Sequence, residues 1–205
     1  MKSISTVIAI AILFITSCSN EKKASKATFT KSLNTYFSKR PPVLTSSSID
    51  FPGVMQPEKK YGSNKKSVEA LVGVKLVEFK GDTTIREGVT KKYDVSNFGK
   101  KFFIEFSMMG LLGKYNYQGF VFAKETVAEI VSYTEPADLM GKKVSEVKFK
   151  SKITNVENWA KDASIQENFE SIKKYLSPDY AEQIKSAVFI LTSDGWVHEQ
   201  LYSEN

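Results

Sequence analysis

Between Val144 and Ile153 the sequence alternates with a period of two. Val147, Phe149 and Ile153 fall on one side, and Glu146, Lys148, Lys150 and Lys152 on the other. A β-strand is the regular structure that sorts residues this way, and four charged side chains in one row keep that face in water. A sheet with one wet face is antiparallel, because the crossovers of a parallel sheet cover both faces. The neighbouring segments suit such a sheet. Lys101–Met108, Tyr115–Ala123 and Val127–Tyr133 (the last after a tight Lys124-Glu125 connection) read as extended. Val188–Thr192 and Trp196–Gln200 flank a Ser193-Asp194-Gly195 turn and read as a closing hairpin.

Two stretches carry helical periodicity instead. Phe29, Leu33, Tyr36 and Phe37 share one helical face, with Thr28 as N-cap and Arg40-Pro41-Pro42 as the stop. Ile165, Phe169, Ile172 and Leu176 form a second stripe, opened by the capping box Ser164-Ile165-Gln166-Glu167 and ended before Pro178. Helices at both ends of an antiparallel sheet predict an α+β fold. Val68, Leu71 and Val72 predict a short helix ending near Gly73, and Lys75–Phe79 an extended segment. Gly81–Thr90 is expected as a polar loop, Tyr93-Asp94-Val95 as extended, and Ser96–Gly99 as a turn. Residues 41–66 hold Pro41, Pro42, Pro52, Pro57 and a serine run, which predicts a long irregular segment. The whole of 29–205 is expected to form a single globular domain.

The N-terminus is an address rather than part of that domain. Lys2 precedes Val7–Ile15, an unbroken apolar run of nine residues. Spanning a bilayer takes roughly 20 such residues, so residues 1–17 are expected to be a secretory signal peptide. No comparable run follows. Ser19–Thr28 (SNEKKASKAT) lacks apolar periodicity, and 18–28 is expected to be a flexible tether. Residues 18–65 carry 9 basic and 3 acidic side chains, so the positive charge of the chain gathers beside the N-terminus. Attraction to anionic headgroups and simple solvation of a tether both account for this.

Ile15-Thr16-Ser17-Cys18 resembles the lipobox of bacterial lipoproteins. The resemblance implies cleavage before Cys18, a diacylglycerol on its sulfur and acylation of its new amino group. By the sorting pattern of enteric lipoproteins, Ser19 implies the periplasmic face of the outer membrane. Leu71, Gly73, Leu76 and Val77, then Tyr93, Val95, Ser96 and Gly99, resemble the back half of a bacterial winged-helix domain, which implies a helix running into a strand and a wing. An exported protein does not meet DNA, so this resemblance concerns local architecture, and no nucleic-acid partner is expected. The run from Ser67 to His198 also resembles a family of small exported bacterial proteins in its Tyr93…Gly99 turn, Thr134-Glu135-Pro136, Trp159-Ala160 and Asp194-Gly195-Trp196. That resemblance implies fold and compartment and carries no activity.

Chemistry is harder to find. With one cysteine and one histidine, no intrachain disulfide forms, and Cys- or His-based metal sites are not expected. The nucleophile elbow, HExxH, the P-loop, GxGxxG and the EF-hand loop are missing from the sequence. Ser-x-x-Lys recurs at Ser19, Ser63, Ser145 and Ser171, a spacing that a chain rich in both residues produces by chance. His198 is the single imidazole and reads as a strand histidine hydrogen-bonded at the rim. Glu135 and Asp138 around Pro136 are the densest carboxylates, as loop solvation also explains. Trp159 reads as a core anchor. No cofactor is expected.

One anomaly remains. Seven aromatics crowd into residues 102–122, and the connection within them is apolar: Met108-Met109-Gly110-Leu111-Leu112-Gly113. Turns normally carry Asn, Asp, Gly or Ser. Met108, Met109, Leu111 and Leu112 are therefore the expected contact site for an envelope protein or a hydrophobic ligand. The chain reads as a non-enzymatic periplasmic lipoprotein held to the membrane by its lipid. An immunity lipoprotein against a toxin or antibiotic is an alternative, and a cell-wall or glycan hydrolase another. Cys18→Ser is expected to abolish the lipid mass shift and membrane recovery, as read by mass spectrometry and fractionation; normal membrane recovery would refute lipidation.

Overall fold

The computed structural model describes residues 21–45, 51–54, 65–86, 88–110 and 113–202. Cys18 and the signal segment lie outside them, as do Leu111 and Leu112. In chain order the elements are α1 (Lys26–Lys39), β1 (Val43–Thr45), β2 (Gly53–Val54), α2 (Lys65–Gly73), β3 (Val77–Ile85), β4 (Gly88–Val95), β5 (Phe103–Gly110) and β6 (Gly113–Val121). There follow β7 (Lys124–Tyr133), β8 (Ala137–Leu139), β9 (Lys142–Thr154), α3 (Ala163–Asn168), α4 (Glu170–Tyr175), β10 (Lys185–Thr192), β11 (Gly195–His198) and α5 (Glu199–Tyr202). The fold is α+β, with antiparallel sheets and helices. Among the described residues no helix is long and apolar enough to cross a membrane.

The chain forms two compact units. The first comprises the segment up to Tyr36, Val127–Lys150 and the chain from Ile184 onward; the second comprises Phe37–Thr126 and Ser151–Gln183.

In the first unit the strand order is β11-β10-β9-β7, with β8 pairing β9. The alternation that predicted β9 is present. Ser145, Val147, Phe149 and Ser151 are buried while Glu146, Lys148 and Lys152 are exposed; Lys150, expected on the wet face, and Ile153, expected on the buried one, are both half-buried. On α1, Phe29 and Leu33 are fully buried. The Phe29 ring meets Tyr133, Phe189 and Trp196 at centroid distances of 5.1, 5.4 and 5.3 Å. The start of α1 differs from expectation. Ser25 and Thr28 exchange backbone-to-hydroxyl hydrogen bonds at 3.1 and 3.2 Å, so Ser25 is the cap and the helix opens at Lys26. Glu21 pairs with Lys31, and the Trp196 indole N–H donates to the Lys22 carbonyl at 3.1 Å. The segment read as a tether is thus folded from Glu21 onward.

In the second unit, sheets β1-β6-β5 and β2-β4-β3 and the helices α2, α3 and α4 enclose one apolar cluster. Its most deeply buried members include Val68, Leu71, Leu76, Phe120, Phe122, Ala160, Ile165 and Ile172. Gly81–Thr90, expected as a loop, is mostly strand. β3 and β4 pair from Val77↔Val95 to Ile85↔Gly88, with an irregularity between Phe79 and Asp82. The expected extended run from Lys75 begins instead at Val77, because Lys75 has φ +64. That turn is locked from the far end of the hairpin: the Ser96 hydroxyl donates to the Lys75 carbonyl, and the Ser96 amide to the Leu76 carbonyl at 3.0 Å. Gly99 closes the lock, since any Cβ there would overlap the Leu76 carbonyl oxygen.

The helical stripe 165–176 also differs. Asp162 is the N-cap, accepting from the Ser164 amide at 2.8 Å, where Ser164 itself was expected. Phe169 (φ −132°, ψ 89°) breaks the stripe into α3 and α4, yet Ile165, Phe169 and Ile172 all stay buried.

These packing facts set the cost of truncation. Phe149→Ala is expected to destabilise by about 3–5 kcal/mol, as core aromatic deletions do. Lys148→Ala, on the wet face, should stay within about ±0.5 kcal/mol. Chemical denaturation of both variants checks this, and equal effects would refute the strand assignment.

Candidate functional site

The β5–β6 hairpin runs further than its sequence indicates. The register proceeds from Phe103↔Phe120 through Phe106↔Tyr117 and Met108↔Tyr115 to Gly110↔Gly113. Met108, Met109 and Gly110, expected in a connecting loop, are therefore the last rungs of β5. Leu111 and Leu112 make the two-residue connection and lie outside the described residues. Glycines occupy the closing pair instead of the turn itself.

Directly opposed residues of an antiparallel pair share a face. Ile104, Phe106, Tyr117 and Tyr115 consequently make one row, and Phe103, Glu105, Ser107, Asn116, Gln118 and Phe120 the other. Of the first row Tyr115 and Tyr117 are 42% and 40% exposed, while Ile104 and Phe106 are half-buried. Phe106 stacks on Tyr117 with ring centroids 5.6 Å apart. The second row descends from solvent into the core, where Phe120 is 1% exposed. Its polar members are engaged. The Phe51 amide donates to Gln118 Oε1 at 2.6 Å, while Gln118 Nε2 donates to the Phe51 carbonyl at 3.1 Å and to Glu105 Oε1 at 2.9 Å. Ser107 Oγ lies 2.7 Å from Asn116 Oδ1, and Arg40 donates to the Ser107 carbonyl at 3.0 Å. A depression of about 450 Å³ is lined by Glu105–Ser107 and Asn116–Gln118. Gly119 lets β1 cross closely, since a Cβ there would overlap the Val43 side chain and the Leu44 carbonyl. Among the described residues β5 pairs with β6 alone, so its other edge is a strand edge.

The titratable residues form two further clusters. His198 is buried, stacked on Tyr36 at 3.8 Å, and its Nδ1 accepts the Gln200 amide at 3.2 Å. Tyr36 in turn donates to Gln200 Oε1 at 2.7 Å. Burial lowers the His198 pKa to about 4, so the imidazole is neutral near pH 7. The second cluster was not legible in the sequence. Glu125, taken there as part of a connection, is buried on β7 and accepts from Ser151 Oγ at 2.5 Å and Tyr180 OH at 2.9 Å. Burial first, and then the Glu125 charge, push the Tyr180 and Tyr175 phenols up. Both hydroxyls donate to Oε1 and help to hold the side chain in place. A faint signal existed in Ser151, a polar residue in phase with Val147 and Phe149. Glu135 and Asp138 lie on an exposed stretch.

Trp159 is a core anchor with one loose end. It packs against Phe102 at 5.9 Å, but its buried indole N–H has no acceptor among the described residues. A recess of about 410 Å³ beside it is lined by Gly73, Val74, Lys75, Asn158, Lys161 and Asp162. Among the described residues, no three His, Cys, Asp or Glu side chains converge as metal ligands.

Comparison of the chain with protein-family models, curated protein sequences and solved structures gives no match. The reading of function therefore stands on the molecule itself.

The His198 environment has a pH consequence. Its folded pKa is depressed relative to the unfolded value near 6.5. Below pH 6.5 the unfolded chain takes up a proton that the folded imidazole refuses. The stabilisation is complete above that pH and is lost as pH falls toward 4. A loss on the order of 2–3 kcal/mol is expected from this group. His198→Phe should flatten the fall in urea midpoint between pH 7 and pH 4.5, and an unchanged slope would refute the assignment.

Proposed function

We propose that the protein is a non-enzymatic binding protein of the cell envelope, anchored through a lipid on Cys18 at the periplasmic face of the outer membrane. It holds a protein partner against the β5–β6 hairpin. The observation that carries this reading is the pair Tyr115 and Tyr117, which folding leaves exposed, with half-buried Phe106 stacked on Tyr117, on the hairpin whose sequence continues into the apolar Leu111-Leu112. Tyr, Phe and Met are enriched at protein interfaces, because rigid amphipathic rings bury area at small entropic cost. A hydrophobic small molecule asks for something else, a concave and mainly apolar pocket. The depression here is mixed instead, with Glu105, Ser107, Asn116 and Gln118 lining it beside Phe106 and Tyr117. A flat aromatic row with polar groups behind it suits a protein surface better.

Tyr115→Ser/Tyr117→Ser tests the reading. Both side chains are 40% exposed or more, so the melting temperature should move by no more than about 2 °C. A photo-crosslinker at Tyr115 in cells is expected to capture one defined envelope protein, and a crosslinker at Lys152 is not. Adding Tyr117→Ser to the Tyr115 probe should lose that capture. Retained capture, or a large fall in stability, would refute the site.

A further inference from the structure

The turn between β8 and β9 places an apolar residue where both solvent and backbone disfavour it. Leu139 is 57% and Met140 96% exposed. Met140 and Gly141 both have positive φ, +50° and +76°, as in the type I′ turns that favour Asn-Gly. A methionine at the first central position has neither burial nor backbone preference to recommend it. All of β8 is exposed, and so are Lys142 and Lys143, which follow the turn.

The register shows what this tip stands beside. Val144 pairs with Ala137 of β8 and with Ile190 of β10, so those strands lie on opposite sides of β9. β10 in turn pairs with β11 from Phe189↔His198 to Thr192↔Gly195. The local order is β8-β9-β10-β11, and the Met140-Gly141 and Ser193-Asp194 turns lie at the same end of the sheet. The first described residues arrive there too. The Lys22 carbonyl accepts the Trp196 indole N–H, and the Glu21 carbonyl oxygen lies 3.0 Å from where a Gly195 Cβ would stand. Three strand spacings, roughly 14 Å, separate that entry from the tip. Cys18 precedes Glu21 by three residues, a covalent reach of at most about 11 Å.

We infer that this end of the first unit rests on the bilayer, with Leu139 and Met140 dipping between the headgroups of an anionic phospholipid surface. Lys22, Lys23, Lys142 and Lys143 are exposed on the segments that meet there, with Asp138, Asp194 and the Lys31-paired Glu21 as the opposing charges. An apolar tip flanked by lysines matches the two layers of such a surface, acyl chains below and phosphates above. The inference rests on the lipid anchor at Cys18, which brings this end of the sheet within reach of the membrane.

The test uses the full-length lipidated protein in phosphatidylethanolamine/phosphatidylglycerol vesicles, with an environment-sensitive fluorophore on Met140→Cys or, at the far end of β10, on Ser186→Cys. The probe at 140 is expected to shift to the blue and to be quenched at least twofold by brominated lipid, while the probe at 186 behaves as in water. Lys23→Glu/Lys143→Glu, which spares the Lys142 ammonium that lies 4.3 Å over the Tyr202 ring, should halve the quenching at 140 with an unchanged melting temperature. Leu139→Asp should abolish it, also without loss of stability. A water-like probe at 140 in protein that floats with the vesicles would overturn the inference and leave the anchor standing. Protein that does not float would overturn both.

Discussion

The five-stranded sheet depends on the two faces of β9 having different solvents. Its inward row, Ser145, Val147, Phe149 and Ser151, is buried, and its outward charges cannot follow without losing hydration worth several kcal/mol each. That asymmetry fixes the register with β10, because a slip of one residue would drive Lys148 into the core and Phe149 into water. Phe29 supplies the complementary surface. By meeting Tyr133, Phe189 and Trp196 at once, it ties the first turn of α1 to the strands and so determines where the chain from Glu21 enters the fold.

Polar groups inside the structure follow the rule that a buried donor or acceptor must be matched. Glu125 is held by Ser151 and Tyr180, and His198 by Gln200 and the face of Tyr36. Ser96 spends both its amide and its hydroxyl on the α2–β3 turn, which keeps Lys75 in a conformation that lysine seldom adopts. Trp159 is the departure. Its unpartnered N–H costs about 1–3 kcal/mol against a matched one, a cost offset by ring packing on Phe102 and Phe120.

Two of the places where apolar groups are exposed also bend the rules of turn chemistry. The β5–β6 hairpin carries its glycines beside the connection, and the β8–β9 turn has methionine at positive φ. Packing explains neither choice, since Tyr115, Tyr117 and Met140 are left in water. We attribute both to the contacts proposed above, a protein surface for the aromatic row and a lipid surface for the methionine tip.

The sequence by itself determined what a single period reveals: the inward row of β9, the apolar face of α1, the buried stripe Ile165–Phe169–Ile172, and the α+β class. Each is a local pattern in which burial alone sorts the residues. Elements held by pairing instead of burial left no such pattern. Gly81–Ile85 and Gly88–Thr90 are strand because β3 and β4 hydrogen-bond to one another, and their polar residues look like a loop when read alone. Met108–Gly110 read as connection for the converse reason, since apolarity without alternation does not distinguish a loop from the end of a ladder. The break at Phe169 was hidden because its side chain stays inward across it. Ser25 and Asp162 displaced Thr28 and Ser164 as caps through hydrogen bonds that several nearby residues could have made equally well. Only the tertiary structure decided that Glu125 meets Ser151 and Tyr180, and that the Met140 tip and the N-terminal segment share one end of a sheet. Those meetings join residues far apart in the chain, and a side chain's chemistry does not say which distant partner the fold will bring to it.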